Sequence, residues 1–265
     1  MSIYYLVDTT LRVKKSKEFE KQIIEYNQQQ QEEAKQKEIE KQAKIPKLTE
    51  QGKENIKNIY HTDKKVAYLT FDDGPSNNTH QILDILKQEN VKATFFILGS
   101  NVDSRKDVVK RMYEEGHYLA NHGYSHTYSK IYSSPQSVLD EYNECNDKVK
   151  NAIEVPDYNS HLFRFPGGLA GGKYAEIKKE AKELLLQNNI VNVDWNALTG
   201  DAETNNLSVE FEMTRLTETM ESKNSLVILM HDAAAKSVTA DALPQIIAKL
   251  KEEGYEFKNF YDIIK

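Results

Sequence analysis

Five short stretches of this sequence carry side chains that can do chemistry. They are Asp72-Asp73-Gly74-Pro75, His122-Gly123-Tyr124-Ser125-His126, Arg164-Phe165-Pro166-Gly167-Gly168, Asp194-Trp195 and His231-Asp232. Adjacent carboxylates repel, and on a regular strand they point to opposite faces. Gly74-Pro75 supplies a turn after them. One acid of the pair can then hold a cation while the other stays free as a base. His122 and His126 are four residues apart, a spacing that sets both imidazoles on one side of a helical turn and suits chelation of a borderline metal. Two His and one carboxylate leave coordination positions open, as catalytic rather than structural metals require. Of seven histidines in the chain, three (His122, His126, His231) follow expected strands.

The elements that must position these groups read as alternating strands and helices. Val66–Phe71, Ala93–Leu98, Tyr118–Ala120, Leu162–Phe165, Ile190–Val193 and Leu226–Met230 have strand-like apolar character. Between and after them, Gln81–Glu89, Arg105–Glu115, Ser137–Ile153, Tyr174–Gln187, Val209–Met220 and Val238–Glu252 have helical spacing, and Gly254 reads as the cap of the last. This alternation predicts parallel strands with crossover helices. About six or seven such units in roughly 200 residues suit a closed or nearly closed barrel, with a doubly wound open sheet as the second choice. In a barrel the active site lies at the C-terminal strand ends. Asp, His, Arg or Trp stands at five of them in succession.

Composition narrows the class. The chain has 265 residues, 39% hydrophobic and 29% charged, with net charge −6. That acidity argues against nucleic acid as a partner. A single cysteine, Cys145, excludes an intramolecular disulfide and any cysteine-based zinc cluster, and it reads as a lone buried thiol. No stretch approaches the roughly 20 apolar residues of a membrane span. The apolar run Ile3–Val7 is too short for the core of a signal peptide. Residues 14–58 hold 11 Lys, 9 Glu and 8 Gln, with a Gln28–Gln31 run. They read as a solvated, helix-prone stalk that Pro46 ends, so the expected division is a polar spacer over 1–58 and a catalytic domain over 59–265.

Taken in order, Thr70-Phe71-Asp72-Asp73-Gly74-Pro75, His122-x-x-Ser125-His126, Arg164-Phe165-Pro166-Gly167-Gly168, Asp194-Trp195 and Leu229-Met230-His231-Asp232 resemble the five motifs of the polysaccharide deacetylase family. This is the NodB-like group, carbohydrate esterase family 4. The resemblance spans residues 66–265 and does not reach 1–58. It implies an α/β fold, a distorted (β/α) barrel of about seven strands. It also implies Asp72 as general base and Asp73, His122 and His126 as ligands of a divalent metal, Zn²⁺ first, with Co²⁺ or another ion as alternatives. Arg164 would orient the base. The Gly167 N–H, after Pro166, would receive the oxyanion. Asp194 would tune His231 as the acid, and Trp195 and Leu229 would line the pocket for the acetyl methyl. Two departures stand out. Gly123 replaces a Ser or Thr whose hydroxyl could support the metal loop, so that site is expected to be slightly looser. Gly167-Gly168 replaces an aromatic residue, which is expected to open the groove on that side.

The resemblance implies removal of N-acetyl groups from a glycan polymer, with N-acetylglucosamine of peptidoglycan ahead of chitin, chitooligosaccharides and xylan. A spacer makes sense if the catalytic domain stands off a membrane. The expected location is therefore extracytoplasmic, at the cell surface, tethered through an anchor absent from this chain; a native frame beginning at Met1 would instead mean the cytoplasm and a small-molecule amidase. A non-catalytic glycan-binding pseudoenzyme would be expected to lack the base or a ligand, and none is lacking. An aspartyl phosphatase needs its nucleophile two residues before the second Asp, where this chain has Phe71.

Overall fold

The computed structural model describes the backbone of residues 2–264 and the side chains of residues 14–264. The Ile3–Val7 run lies outside the described side chains. The chain divides into two compact units, residues 1–44 and 45–265. The first is one helix, α1 (Ser2–Ala43). From residue 14 to residue 44 no side chain is buried. Among the described residues no helix is long and apolar enough to cross a membrane.

The second unit runs α2 (Glu50–Lys57), β1 (Val66–Asp72), α3 (Asn78–Gln88), β2 (Thr94–Ile97), α4 (Gly99–Val102), α5 (Lys106–Glu114), β3 (Tyr118–Asn121), α6 (Tyr128–Ile131), α7 (Pro135–Ile153), β4 (Leu162–Phe163), α8 (Ala175–Gln187), β5 (Val191–Asn192), β6 (Ala197–Leu198), α9 (Val209–Met220), β7 (Ser225–His231), α10 (Ser237–Glu252) and β8 (Glu256–Lys258). All ladders are parallel, in the order β5-β4-β3-β2-β1-β7-β6, and β8 pairs with the first half of β1. Among the described residues no ladder joins β5 to β6, so the sheet curls into a barrel without closing.

β1 is buried along its whole length, which is why it reads as one apolar run rather than an alternation. Its alternate residues still serve different layers. Ala67, Leu69 and Phe71 join Phe95, Ile97, Leu226, Ile228 and Met230 in a core under the outer helices. Val66 and Tyr68 join Phe96, Tyr118, Ala120, Leu162, Val191, Val193 and Val227 in a second core inside the curl. Continuing that second face by two residues at a time reaches Thr70 and Asp72, His122, Arg164, and Leu229 and His231. The chemistry therefore forms the top layer of the barrel interior.

The lower end of that interior is filled by Phe260 and Ile264 and, unexpectedly, by Leu48, Ile56 and Ile59. Composition places these last three at or beside the end of the stalk. The structure moves the boundary to Lys44/Ile45. The α2 helix is capped by Thr49, whose hydroxyl accepts from Gly52 N–H at 3.1 Å, and it buries one face through Gly52 and Ile56. Its remaining polar side chains hide this from a composition count.

Candidate active site

Asp73 leaves the end of β1 with φ +72°, in the left-handed region. That turn separates the two acids. Asp72 stays on the strand, 2% exposed. Asp73 swings toward the loop after β3, where its Oδ1 lies 3.5 Å from His122 Nε2 and 3.4 Å from His126 Nε2. The three ligand atoms fall within 4.8 Å of one another. Asp73 Oδ1 is buried and has no hydrogen-bond partner among the described residues. An acceptor left bare between two imidazole nitrogens fits a cation, whose charge would supply what the protein withholds. His122 is fixed by its other nitrogen, 2.8 Å from the Arg164 carbonyl, which presents Nε2 to the centre. Burial lowers His122 to about 3, so its ring is neutral and competent as a ligand.

The two histidines do not share a helical turn. Residues 122–127 form a loop, with Gly123 at φ +85° and His126 at φ +52°. Gly123 needs that freedom, and a Cβ there would also meet Ile131 Cδ1 at 2.9 Å. Support for the loop comes from Glu141 on α7. Its carboxylate accepts from Tyr124 N–H at 2.7 Å, Ser125 N–H at 2.6 Å and the Ser125 hydroxyl at 2.6 Å. The loop around Gly123 is thus supported by a carboxylate from 18 residues downstream of that glycine. Nothing in the motif itself signals Glu141.

Asp72 Oδ1 accepts from Arg164 Nη1 at 2.8 Å. Arg164 is fully buried and every arm of its fork is used. It also donates to the Thr70 hydroxyl and to the carbonyls of Val193 and Asp194, and its guanidinium lies 3.9 Å above the Phe96 ring. Burial pulls the Asp72 carboxyl above its ordinary value, and Arg164 and His231 oppose that rise. The result is a buried acid more basic than a surface carboxylate, held in one orientation.

His231 ends β7. Its Nδ1 donates to Asp201 Oδ1 at 2.9 Å, and its backbone N–H donates to Asp201 Oδ2 at 2.7 Å. Burial alone would lower the imidazole. The Asp201 hydrogen bond and the charges of Asp201, Asp72 and Asp73 outweigh it and push the ring up to about 9. The expected partner, Asp194, is elsewhere: its carboxylate accepts from Leu169 N–H at 3.1 Å and 3.3 Å. Asp194 therefore anchors the loop after Gly168, and the acid that touches His231 is Asp201. Asp201 follows Gly200 just past β6, at one more C-terminal strand end. That placement was its only signal, and a two-residue strand gives a weak one.

Of the remaining expected residues, Pro166 is buried and its carbonyl accepts from the Tyr132 hydroxyl at 2.7 Å. The Gly167 N–H has no hydrogen-bond partner among the described residues and Gly167 is exposed, as a donor reserved for a ligand should be. Trp195 lies 5.7 Å from the Arg164 guanidinium. Leu229 pairs with Thr70 across the ladder and shares a face with His231. A cavity of about 790 Å³ lies to one side, between α2, α8 and β5, and meets this group only through Leu169, Asp194 and Trp195. Cys145 is buried, donates to the Ile97 carbonyl at 3.3 Å and takes no part.

A family model described as polysaccharide deacetylase matches residues 59–187. A peptidoglycan-N-acetylglucosamine deacetylase of Bacillus cereus is 35% identical over 203 residues, 76% of this chain and 71% of that protein. Among solved structures, a CE4 esterase of Streptococcus mutans superposes with TM-score 0.71 at 33% identity, covering 78% of this chain and 90% of its own. The catalytic domain of a peptidoglycan N-acetylglucosamine deacetylase from Eubacterium rectale superposes with TM-score 0.68 at 32% identity, covering 75% of this chain and 90% of its own. With the same curled parallel sheet and this extent of sequence identity, the chain belongs to the polysaccharide deacetylase family.

Proposed function

We propose that this chain is a divalent-metal-dependent hydrolase that removes the acetyl group from N-acetylglucosamine residues of peptidoglycan. The observation that carries the reading is the bare Asp73 Oδ1 between His122 and His126, with a buried base on one side and a raised histidine on the other. Asp73, His122 and His126 would hold the ion, Zn²⁺ in the first instance, with Co²⁺ as an alternative. Such an ion acidifies a water and polarises the acetyl carbonyl.

The chain's own residues account for the remaining steps. Asp72, buried and held by Arg164, takes the proton of the attacking water. The Gly167 N–H donates to the oxygen that gains charge, a contribution of about 3 kcal/mol for one such donor. His231, protonated at neutral pH and held by Asp201, gives its proton to the departing amine. No covalent nucleophile is required.

Peptidoglycan is favoured as the polymer because two of the similar proteins are peptidoglycan N-acetylglucosamine deacetylases. A 42-residue helix reaches about 60 Å at 1.5 Å per residue, which suits a catalytic unit standing off a membrane in an extracytoplasmic location. The deciding experiment is acetate release from peptidoglycan, chitooligosaccharides and acetylated xylan, with and without a chelator. Release from peptidoglycan that stops on chelation and returns with Zn²⁺ is expected. Full activity in an exhaustively chelated sample would refute the metal, and preference for xylan would refute the substrate.

A further inference from the structure

The space that a side chain at position 167 would take is filled from another part of the chain. A Cβ built on Gly167 would lie 2.3 Å from the Tyr128 hydroxyl and 3.2 Å from its Cζ. Position 168 is covered in the same way, since a Cβ there would meet Trp195 at 3.0 Å. The groove that Gly167-Gly168 leads one to expect is therefore not open: two aromatic residues from outside the motif wall it.

Tyr128 is the first residue of α6, two residues after His126. Tyr128 is 39% exposed, and its ring contacts three others, with centroids at 5.6 Å from His126, 5.5 Å from Tyr132 and 6.5 Å from Tyr174. Its hydroxyl hydrogen-bonds to no described residue, whereas those of Tyr118, Tyr132, Tyr142, Tyr158 and Tyr255 donate to backbone or side-chain oxygens; the Tyr261 hydroxyl is also unpartnered, but it is buried. A phenol whose ring is fixed and whose hydroxyl is free is a preorganised donor without a protein acceptor. It lies beside Gly167, whose own N–H has no partner among the described residues. Two donors without a protein partner lie at one solvent-accessible place, close to Asp73, His122 and His126, where one ligand oxygen can accept from both.

We propose that Tyr128 is a catalytic residue that touches the substrate. Its hydroxyl donates, alongside the Gly167 N–H, to the acetyl oxygen of the bound sugar as that oxygen becomes an oxyanion. The proposal rests on the deacetylase reading above. It makes the phenol a second arm of the oxyanion site, supplied by the loop that carries His126.

The test compares the zinc-loaded full chain with Tyr128→Phe, which keeps the ring and removes only the hydroxyl. Acetate release from chitopentaose gives kcat and KM. Competition with a chelator gives zinc affinity, and thermal unfolding gives the midpoint. The expected result is a fall in kcat of about 100- to 1,000-fold, the range for loss of one oxyanion donor. KM, zinc affinity and midpoint should be nearly unchanged. A kcat within twofold of the parent would overturn the proposal. So would a loss of zinc affinity that accounts for the loss of rate, because Tyr128 would then only be positioning His126. A parent protein that releases no acetate from any glycan defeats the deacetylase reading and this inference with it. That outcome is distinct from an active parent matched by its Phe variant.

Discussion

Asp201 holds His231 at two points, one carboxylate oxygen on the ring Nδ1–H at 2.9 Å and the other on the backbone N–H at 2.7 Å. The second oxygen also accepts from the Thr239 hydroxyl at 3.1 Å. The ring cannot turn without breaking this arrangement, and in the proposed reaction Nε2 is the atom that would face the substrate. The carboxylate also makes the imidazolium the favoured form.

Asp201→Asn removes that preference and keeps the shape. With His231 raised to about 9, the acid is present through neutral pH and is lost as pH rises through 9, so the alkaline limb of the rate profile should fall there. In the Asn variant that limb should move toward the ordinary histidine value of about 6.5, with kcat down by about 10²-fold. The same shift has a stability consequence. A raised histidine stabilises the fold fully below about pH 6.5, and that contribution is lost as pH rises through 9. Denaturant midpoints at pH 6 and pH 9.5 should differ less in the variant than in the parent. Asp194→Asn, acting only on the Leu169 loop, should leave the alkaline limb in place; a shift there would return the role to Asp194.

The two acids that follow one another in sequence should separate cleanly by experiment. Asp73 faces both histidines, whereas Asp72 Oδ1 faces Arg164 and its Oδ2 stands 3.8 Å from His122 Nε2. Asp72→Asn should keep the metal and lose about 10² or more in turnover. His126→Ala should lose the metal and nearly all activity while the fold persists. Metal content by elemental analysis, paired with acetate release, reads both. Loss of metal in Asp72→Asn would reverse the assignment.

Arg164 ties together four strands' worth of structure, and its removal strands a charge. Arg164→Met leaves Asp72 buried without its partner, a change that typically costs about 3–5 kcal/mol. The burial that already raises the Asp72 carboxyl would then act unopposed by the guanidinium, so the acid limb of the rate profile should move to higher pH. Adding Asp72→Asn to Arg164→Met should recover part of the lost stability, because the unpaired charge is gone. Denaturant unfolding of the two single variants and the double variant measures the coupling; additivity would mean that the pair is not coupled.

Much of this site was legible because strand alternation and motif order agree. Asp72, His122, Arg164 and His231 each extend the interior face of a strand whose preceding residues are apolar, so their convergence follows from the sheet. What was not legible has specific physical causes. Asp201 follows a two-residue strand that has no apolar run to announce it. Asp194 sits directly beside Trp195 and drew the assignment, but its carboxylate is spent on Leu169. Glu141 supports the His122–His126 loop from the middle of α7, and no local pattern connects the two. The spacing of His122 and His126 resembled a helix, but positive φ at Gly123 and His126 forbids one. The start of the folded unit was missed because α2 buries one face and shows polar residues on the rest.

That last point makes a prediction about where the chain can be cut. From residue 14 to residue 44 no side chain is buried, whereas Leu48 and Ile56 are 8% and 5% exposed inside the curl of the sheet, beside Val66, Tyr68 and Phe260. A protein starting at residue 45 should therefore unfold near the parent's midpoint and release acetate from soluble chitooligosaccharides at the parent's rate. One starting at residue 59, the boundary that composition suggests, lacks α2 and leaves the lower barrel interior uncovered. Full burial of a Leu or Ile side chain contributes about 1.5–3 kcal/mol, so losing this pair should cost several kcal/mol before cavity effects are added. Since native domains have only about 5–15 kcal/mol in hand, the shorter protein should be strongly destabilised. Denaturant unfolding of the two truncations decides the matter: equal midpoints would mean that α2 adds nothing to the core, and a large drop already at residue 45 would mean that the first helix supports the fold.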